Sequence, residues 1–280
     1  MSIVTFWNGT KEQCGSTSSA VAVASQMAID HNLKILLIST SLNDKLIKEC
    51  FWQPPKKTLM SGIFGANVNG VEKNGIEGLD RIIRSNKITP DIITDYTRIV
   101  LKNRLEILLG MENTGEQYDI MKERYSKIIS FADRYYDMVI VDLDKRLGKY
   151  QEEILKMSNV VVAVIPQREK QINDIVQMIE KEEMLKKGNT ILTIGRYMEN
   201  TKYNAKNITR GILKQKNTIN TIPYNNLFFE ASQEGKVIDL FLNLMRIKEK
   251  DSNYTFVTEI KKLIEEIQMR IKLLQMESQV

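Results

Sequence analysis

Asn8-Gly9-Thr10-Lys11-Glu12-Gln13-Cys14-Gly15-Ser16-Thr17-Ser18-Ser19 joins a strand-length apolar run, Ile3 to Trp7, to a small-residue helical segment that continues Ala20-Val21-Ala22-Val23-Ala24. A glycine-bearing loop between a strand and a helix is where successive backbone N–H groups and a helix N-terminus converge on anionic oxygens. A hydroxyl at the helix start then coordinates Mg²⁺. Gly15, Thr17 and Ser18 supply those parts. Taken alone, a Gly-Ser-Thr-Ser run is equally a common helix N-cap, so the rest of the chain has to decide between the two readings.

Outward from the loop, apolar runs of strand length alternate with longer segments of helical period. The strand runs are Ile3 to Trp7, Leu33 to Ile38, Leu105 to Leu109, Met138 to Val141, Val160 to Ile165 and Thr190 to Ile194. Helical spacing falls near Thr17 to Ala28, Tyr118 to Arg134, Gln151 to Met157, Gln171 to Lys187, Tyr203 to Leu213, Val237 to Lys248 and Asn253 to Gln275. This alternation predicts an α/β sandwich of three layers, with a mostly parallel central sheet covered on both faces. One domain over residues 1–280 accommodates it. The stretch from Phe51 to Tyr96, with Pro54-Pro55 and five glycines among polar residues, reads as an irregular insertion.

Composition narrows the function classes. Hydrophobic content of 42% with 27% charged residues is that of a globular chain. No apolar run reaches the roughly 20 residues of a membrane-spanning helix, and residues after Ser2 enter a strand rather than a signal peptide. Cys14 and Cys50 form no disulfide framework or metal spacing, so a cytoplasmic location is expected. His31 is the single histidine, so histidine-based triads and clustered-histidine zinc sites are nearly excluded. The net charge of +5, from 40 basic and 35 acidic residues, is a mild bias rather than a nucleic-acid footprint.

The loop resembles the deviant Walker A loop of the ParA/MinD family of P-loop NTPases, written Lys-Gly-Gly-x-Gly-Lys-Thr-Thr. Lys11 takes the first lysine, Gly15 the last glycine and Thr17 the Mg²⁺ hydroxyl. Glu12 and Gln13 stand for two glycines, and Ser16 for the lysine that reaches the β- and γ-phosphates. An inward-pointing Glu12 carboxylate would repel a nucleotide. A small residue at the Ser16 position resembles the CpaE/TadZ branch. Tyr136-Asp137-Met138-Val139-Ile140-Val141-Asp142-Leu143-Asp144 resembles the family's Walker B strand, with Asp142 the metal-proximal carboxylate and Asp144 second; Gly148 falls at the switch glycine. Ser158 to Pro166 resembles the fifth strand. Ile194-Gly195-Arg196-Tyr197 resembles the strand end Asn-Arg-Tyr with the asparagine lost, and Thr221-Ile222-Pro223-Tyr224-Asn225 the turn against the base.

The resemblance implies ATP and Mg²⁺ as cofactors. The nucleotide would be held by Lys11, Glu12, Gln13, Cys14, Gly15, Ser16, Thr17, Ser18, Arg196, Pro223 and Tyr224, and the metal by Thr17 and Asp142. It also implies a homodimer in which Lys11 reaches the partner's nucleotide. The second strand ends Ser39-Thr40-Ser41 where the family has Asp-x-Asp. With Ser16 in the loop, that implies slow or no hydrolysis. The expected function is therefore a nucleotide-switched protein that positions a pilus- or secretion-type assembly, with protein partners in that assembly. The alternatives are an active DNA-binding partitioning ATPase and a scaffold without nucleotide. From Phe256 to Leu274 one helical face is apolar and flanked by Lys261, Lys262, Arg270 and Lys272. A core-packed helix explains it, and a partner or membrane surface also suits a basic amphipathic helix.

Overall fold

The computed structural model describes residues 2–10, 12–41, 45–53, 75–85, 89–110, 121–143, 148–186, 188–211 and 219–277. Lys11, Asp144 and the middle of the 51–96 segment lie outside the described residues, as do residues 118–120 and 212–213 at the ends of two expected helices.

Eight strands form one sheet in the order β3-β4-β2-β5-β1-β6-β7-β8. They are β1 Ser2–Trp7, β2 Ile35–Ser39, β3 Arg98–Leu101, β4 Leu105–Leu108, β5 Met138–Leu143, β6 Val160–Ile165, β7 Thr190–Tyr197 and β8 Asn220–Pro223. Every pairing is parallel except the hairpin of β3 with β4. The expected three-layer α/β sandwich is the architecture found. Its central strands are mostly apolar because both faces are covered. Side chains alternate between two cores, as the strand period of two requires. Val4, Phe6, Leu37, Ile140 and Val162 enter one, while Ile3, Trp7, Leu36, Val139 and Val161 enter the other.

Helix α1 (Ser16–Asp30) lies in the first core, and its alanines at 20, 22 and 24 are fully buried. Small residues let it sit close to the sheet while the helices Val237–Leu244 and Tyr254–Glu277 pack over it. Phe256, Ile260, Leu263, Ile264, Ile267 and Ile271 of the latter are buried, so its apolar face belongs to the domain core. The opposite core takes the helices Tyr125–Asp133, Lys149–Met157 and Glu169–Lys181.

Several elements differ from the expectation. The strands β3 and β8 and the helices Lys45–Phe51 and Asn226–Glu234 carry no decisive periodic signal. β3 is a half-exposed edge, and β8 ends in Pro223, a residue tolerated only at edges. Within 51–96 the described residues hold a helix, Ile76–Arg84, and a 3₁₀ turn, Asp91–Tyr96. Among the described residues no helix is long and apolar enough to cross a membrane.

Candidate phosphate-loop site

The loop leaves the C-terminal end of β1 and is fastened by its own polar groups. Asn8 Nδ2 donates to the Glu12 carbonyl at 2.7 Å, while Asn8 Oδ1 accepts from the Thr10 N–H at 2.9 Å and its hydroxyl at 2.8 Å. Gly15, at φ 83°, ψ 26°, is the N-cap of α1. That left-handed conformation favours glycine. No side chain caps the helix, and the N–H groups of its first turn have no intrahelical acceptor. A left-handed glycine thus leads directly into the first turn of α1.

Thr17 and Asp142, 125 residues apart, come together: Thr17 Oγ1 donates to Asp142 Oδ2 at 2.8 Å. The register explains the meeting, because Asp142 lies opposite Phe6 on β1 and Ser39 on β2. The Thr40 N–H donates to the Asp142 carbonyl at 3.0 Å. Ser39, Thr40 and Ser41 thus bring hydroxyl groups, and no carboxylate of their own, to the end of β2 next to Asp142.

The other loop residues take distinct directions. Glu12 does not turn inward: its Oε1 accepts from Arg168 Nη1 at 3.0 Å and Gln171 Nε2 at 2.8 Å. Gln13 is exposed. Cys14 is buried and its thiol donates to the Val164 carbonyl at 3.1 Å, so only its backbone faces the loop. Ser16 is 8% exposed, and its Oγ is buried without a partner among the described residues. Cys50 lies elsewhere in the core; burial first, and Glu49 second, push its thiol up to about 12, which removes it as a nucleophile.

A cleft opens beside the loop. Gly15, Ser18, Arg196, Pro223 and Tyr224 line it together with Ser19, Ile222, Asn225, Phe228, Phe229, Ser232 and Phe256. Five residues singled out in the sequence thus line one cleft, and the Thr17–Asp142 pair is not part of its lining. Sequence reasoning gave no role to Arg168, Gln171 or the Asn226–Phe229 stretch, and named Asn8 and Asn225 within their motifs without assigning either a site role. Asn225 had a readable signal, an asparagine just before an apolar helical run; its Oδ1 accepts from the Phe228 N–H at 2.8 Å. Gly195 also has a local cause. A Cβ there would fall 2.2 Å from the Cys14 carbonyl oxygen, so asparagine could not occupy this backbone without moving the loop.

The residues present suit Mg²⁺ and a phosphate chain in most respects. Thr17 and Asp142 offer hard oxygens, and a magnesium site of one carboxylate plus phosphate and water needs little more. The uncapped helix start suits anionic oxygen. The partnerless hydroxyl of Ser16 marks the departure, a short neutral donor in the place of an ammonium.

No protein-family model matches the chain, and no curated protein matches it by sequence. Solved structures do resemble it. A ParA family ATPase from Chlorobium tepidum TLS superposes with a TM-score of 0.67 at 13% identity, over 94% of this chain and 98% of that one. A putative plasmid partition protein from Borrelia burgdorferi B31 bound to AMPPNP gives 0.60 at 17% identity, over 96% and 98%. The septum site-determining protein MinD from Pyrococcus horikoshii OT3, complexed with Mg-ADP, gives 0.60 at 13%, over 96% and 98%. At these identities the likeness extends to the backbone, and over nearly its whole length the chain has the fold of the ParA/MinD ATPases.

Proposed function

We propose that this chain is a nucleotide-binding positioning protein of the ParA/MinD type, which holds a Mg²⁺-adenine nucleotide in the 8–19 loop and hydrolyses it slowly or not at all. The observation that carries the reading is the Thr17–Asp142 pair at 2.8 Å beside the uncapped start of α1. Bound Mg²⁺ would neutralise phosphate charge, and Thr17 and Asp142 are the residues to hold it. Two observations support weak hydrolysis. The end of β2 brings Ser39, Thr40 and Ser41 where an attacking water would need a carboxylate to orient it, and Ser16 has no charge to offer a leaving phosphate. By its resemblance to the CpaE/TadZ branch, the protein acts as a dimer that places a pilus- or secretion-type assembly at the inner face of the membrane. Relatives of this fold have been captured with AMPPNP and Mg-ADP, in keeping with the cofactor.

The test is calorimetric titration of Mg²⁺-ATP and Mg²⁺-ADP, with mass in solution recorded alongside. Wild-type chain binds and shifts from monomer to dimer, whereas Thr17→Ala weakens Mg²⁺-dependent binding about tenfold or more, since a lost ligand to a charged group costs about 1.5–3 kcal/mol. Lys11→Ala spares binding by the monomer and lowers dimer formation. No binding at millimolar nucleotide, with unchanged mass, would leave the scaffold reading.

A further inference from the structure

The strand end that carries Arg196 is irregular in a way that aims its side chain. Pairing of β7 with β8 shifts register between Ile194 and Tyr197, a bulge of the kind that redirects a side chain beside a site. Arg196 itself has φ 51°. Among the described residues the other non-glycine with positive φ is Asn103, in the β3–β4 turn where asparagine is at home. A left-handed arginine is a local strain that the surroundings must maintain. The surroundings are visible: Gly195 packs against the Cys14 carbonyl, and a Cβ on Gly15 would lie 3.1 Å from Arg196 Cγ and 3.4 Å from its Nε. Two glycines, one on each element, thus let the arginine lie across the mouth of the loop. It is exposed there, and no ion pair engages it among the described residues.

We infer that Arg196 is the phosphate-binding cation of this loop, in place of the lysine that Ser16 has replaced, and that the site takes a nucleoside diphosphate at least as tightly as a triphosphate. The inference rests on the nucleotide reading above and specifies its ligand. Arg196 shares the cleft with Gly15, Ser18, Pro223 and Tyr224, and neither Thr17 nor Asp142 lines it. A base held by Pro223 and Tyr224 would leave the phosphates to the guanidinium in the same cleft, whose fork suits two phosphate oxygens. At the γ end the helix offers the Ser16 hydroxyl, buried and partnerless, and no ammonium. The third phosphate adds charge without adding a described cation to meet it.

Titration calorimetry of the full chain with Mg²⁺-ADP, Mg²⁺-ATP and AMP decides it. Wild type should bind Mg²⁺-ADP no more weakly than Mg²⁺-ATP. Arg196→Gln should weaken Mg²⁺-ADP about ten- to hundredfold, the range for a charged hydrogen bond, and flatten the salt dependence of binding. Arg196→Gly is the folding control, because glycine prefers this φ: it should lose the same affinity with an unchanged or raised melting temperature. Unchanged Mg²⁺-ADP affinity in both variants overturns the inference while leaving the nucleotide reading intact. So does loss of affinity in Lys11→Ala alone, or a wild-type preference for Mg²⁺-ATP above tenfold. Failure of wild type to bind any of the three nucleotides overturns both.

Discussion

Glu106 shows how a single residue can be fixed by chemistry that its neighbours in sequence do not announce. It sits mid-strand in β4 at 6% exposure, where an unpaired carboxylate would be costly. Tyr136 donates its hydroxyl to Glu106 Oε2 at 2.5 Å, Thr97 donates at 2.8 Å, and Lys34 Nζ approaches Oε1 at 3.5 Å. Burial, and then the hydrogen bond to Glu106, push the Tyr136 phenol well above its usual range. A phenol raised on folding contributes stability that is fully present below its unfolded value, near pH 10, and is lost progressively as pH rises from there toward the raised folded value. Tyr136→Phe should therefore lower stability by about 1–3 kcal/mol at pH 7 and lose less than wild type between about pH 7 and pH 10.5, as read by urea denaturation at each pH. At this scale Thr17 and Asp142 were legible because loop and strand motifs name them. Glu12 was legible in identity and not in direction, since Arg168 and Gln171 come from more than 150 residues away.

At the scale of elements, the strongly periodic segments were readable and the edges were not. β1, β2, β5 and β6 are mostly apolar runs buried on both faces, a pattern that length and composition expose directly. β3 and β8 owe their pairing to neighbours rather than to their own four residues. The helix Tyr254–Glu277 was visible as an amphipathic segment whose apolar face had two readings, and its packing against α1 and β8 chose between them. Phe256 of this helix meets Phe228 and Phe241 at ring-centroid distances of 5.4 and 6.1 Å, and Phe228 and Phe256 also line the cleft. Phe256→Ala should cost about 3–5 kcal/mol of unfolding free energy. Leu273→Ala, on the exposed side at 52%, should stay within about 0.5 kcal/mol. Denaturant midpoints of the two variants check both values.

For the whole molecule, strand order places the candidate site residues. The loop after β1, Asp142 near the end of β5, Arg196 at the end of β7 and Pro223 closing β8 all lie toward the carboxyl ends of parallel strands, where open α/β sheets gather ligands. Surface charge argues the partner question at the same scale. With 40 basic and 35 acidic residues well mixed along the chain, DNA retention in a mobility-shift assay should be weak and vanish by about 200 mM salt, as few phosphate contacts imply. Retention persisting there would favour the partitioning alternative. The sequence by itself determined the α/β class and the parallel core, because strand and helix periods are local properties, and a glycine before hydroxyl residues was enough to single out residues 8–19 as the candidate loop. Only the tertiary structure decided that Glu12 turns away from the loop, that Gly195 must lack a side chain and that Arg196 lies over Gly15. Each depends on atoms brought together across the sheet, by a register and a bulge that no local pattern encodes.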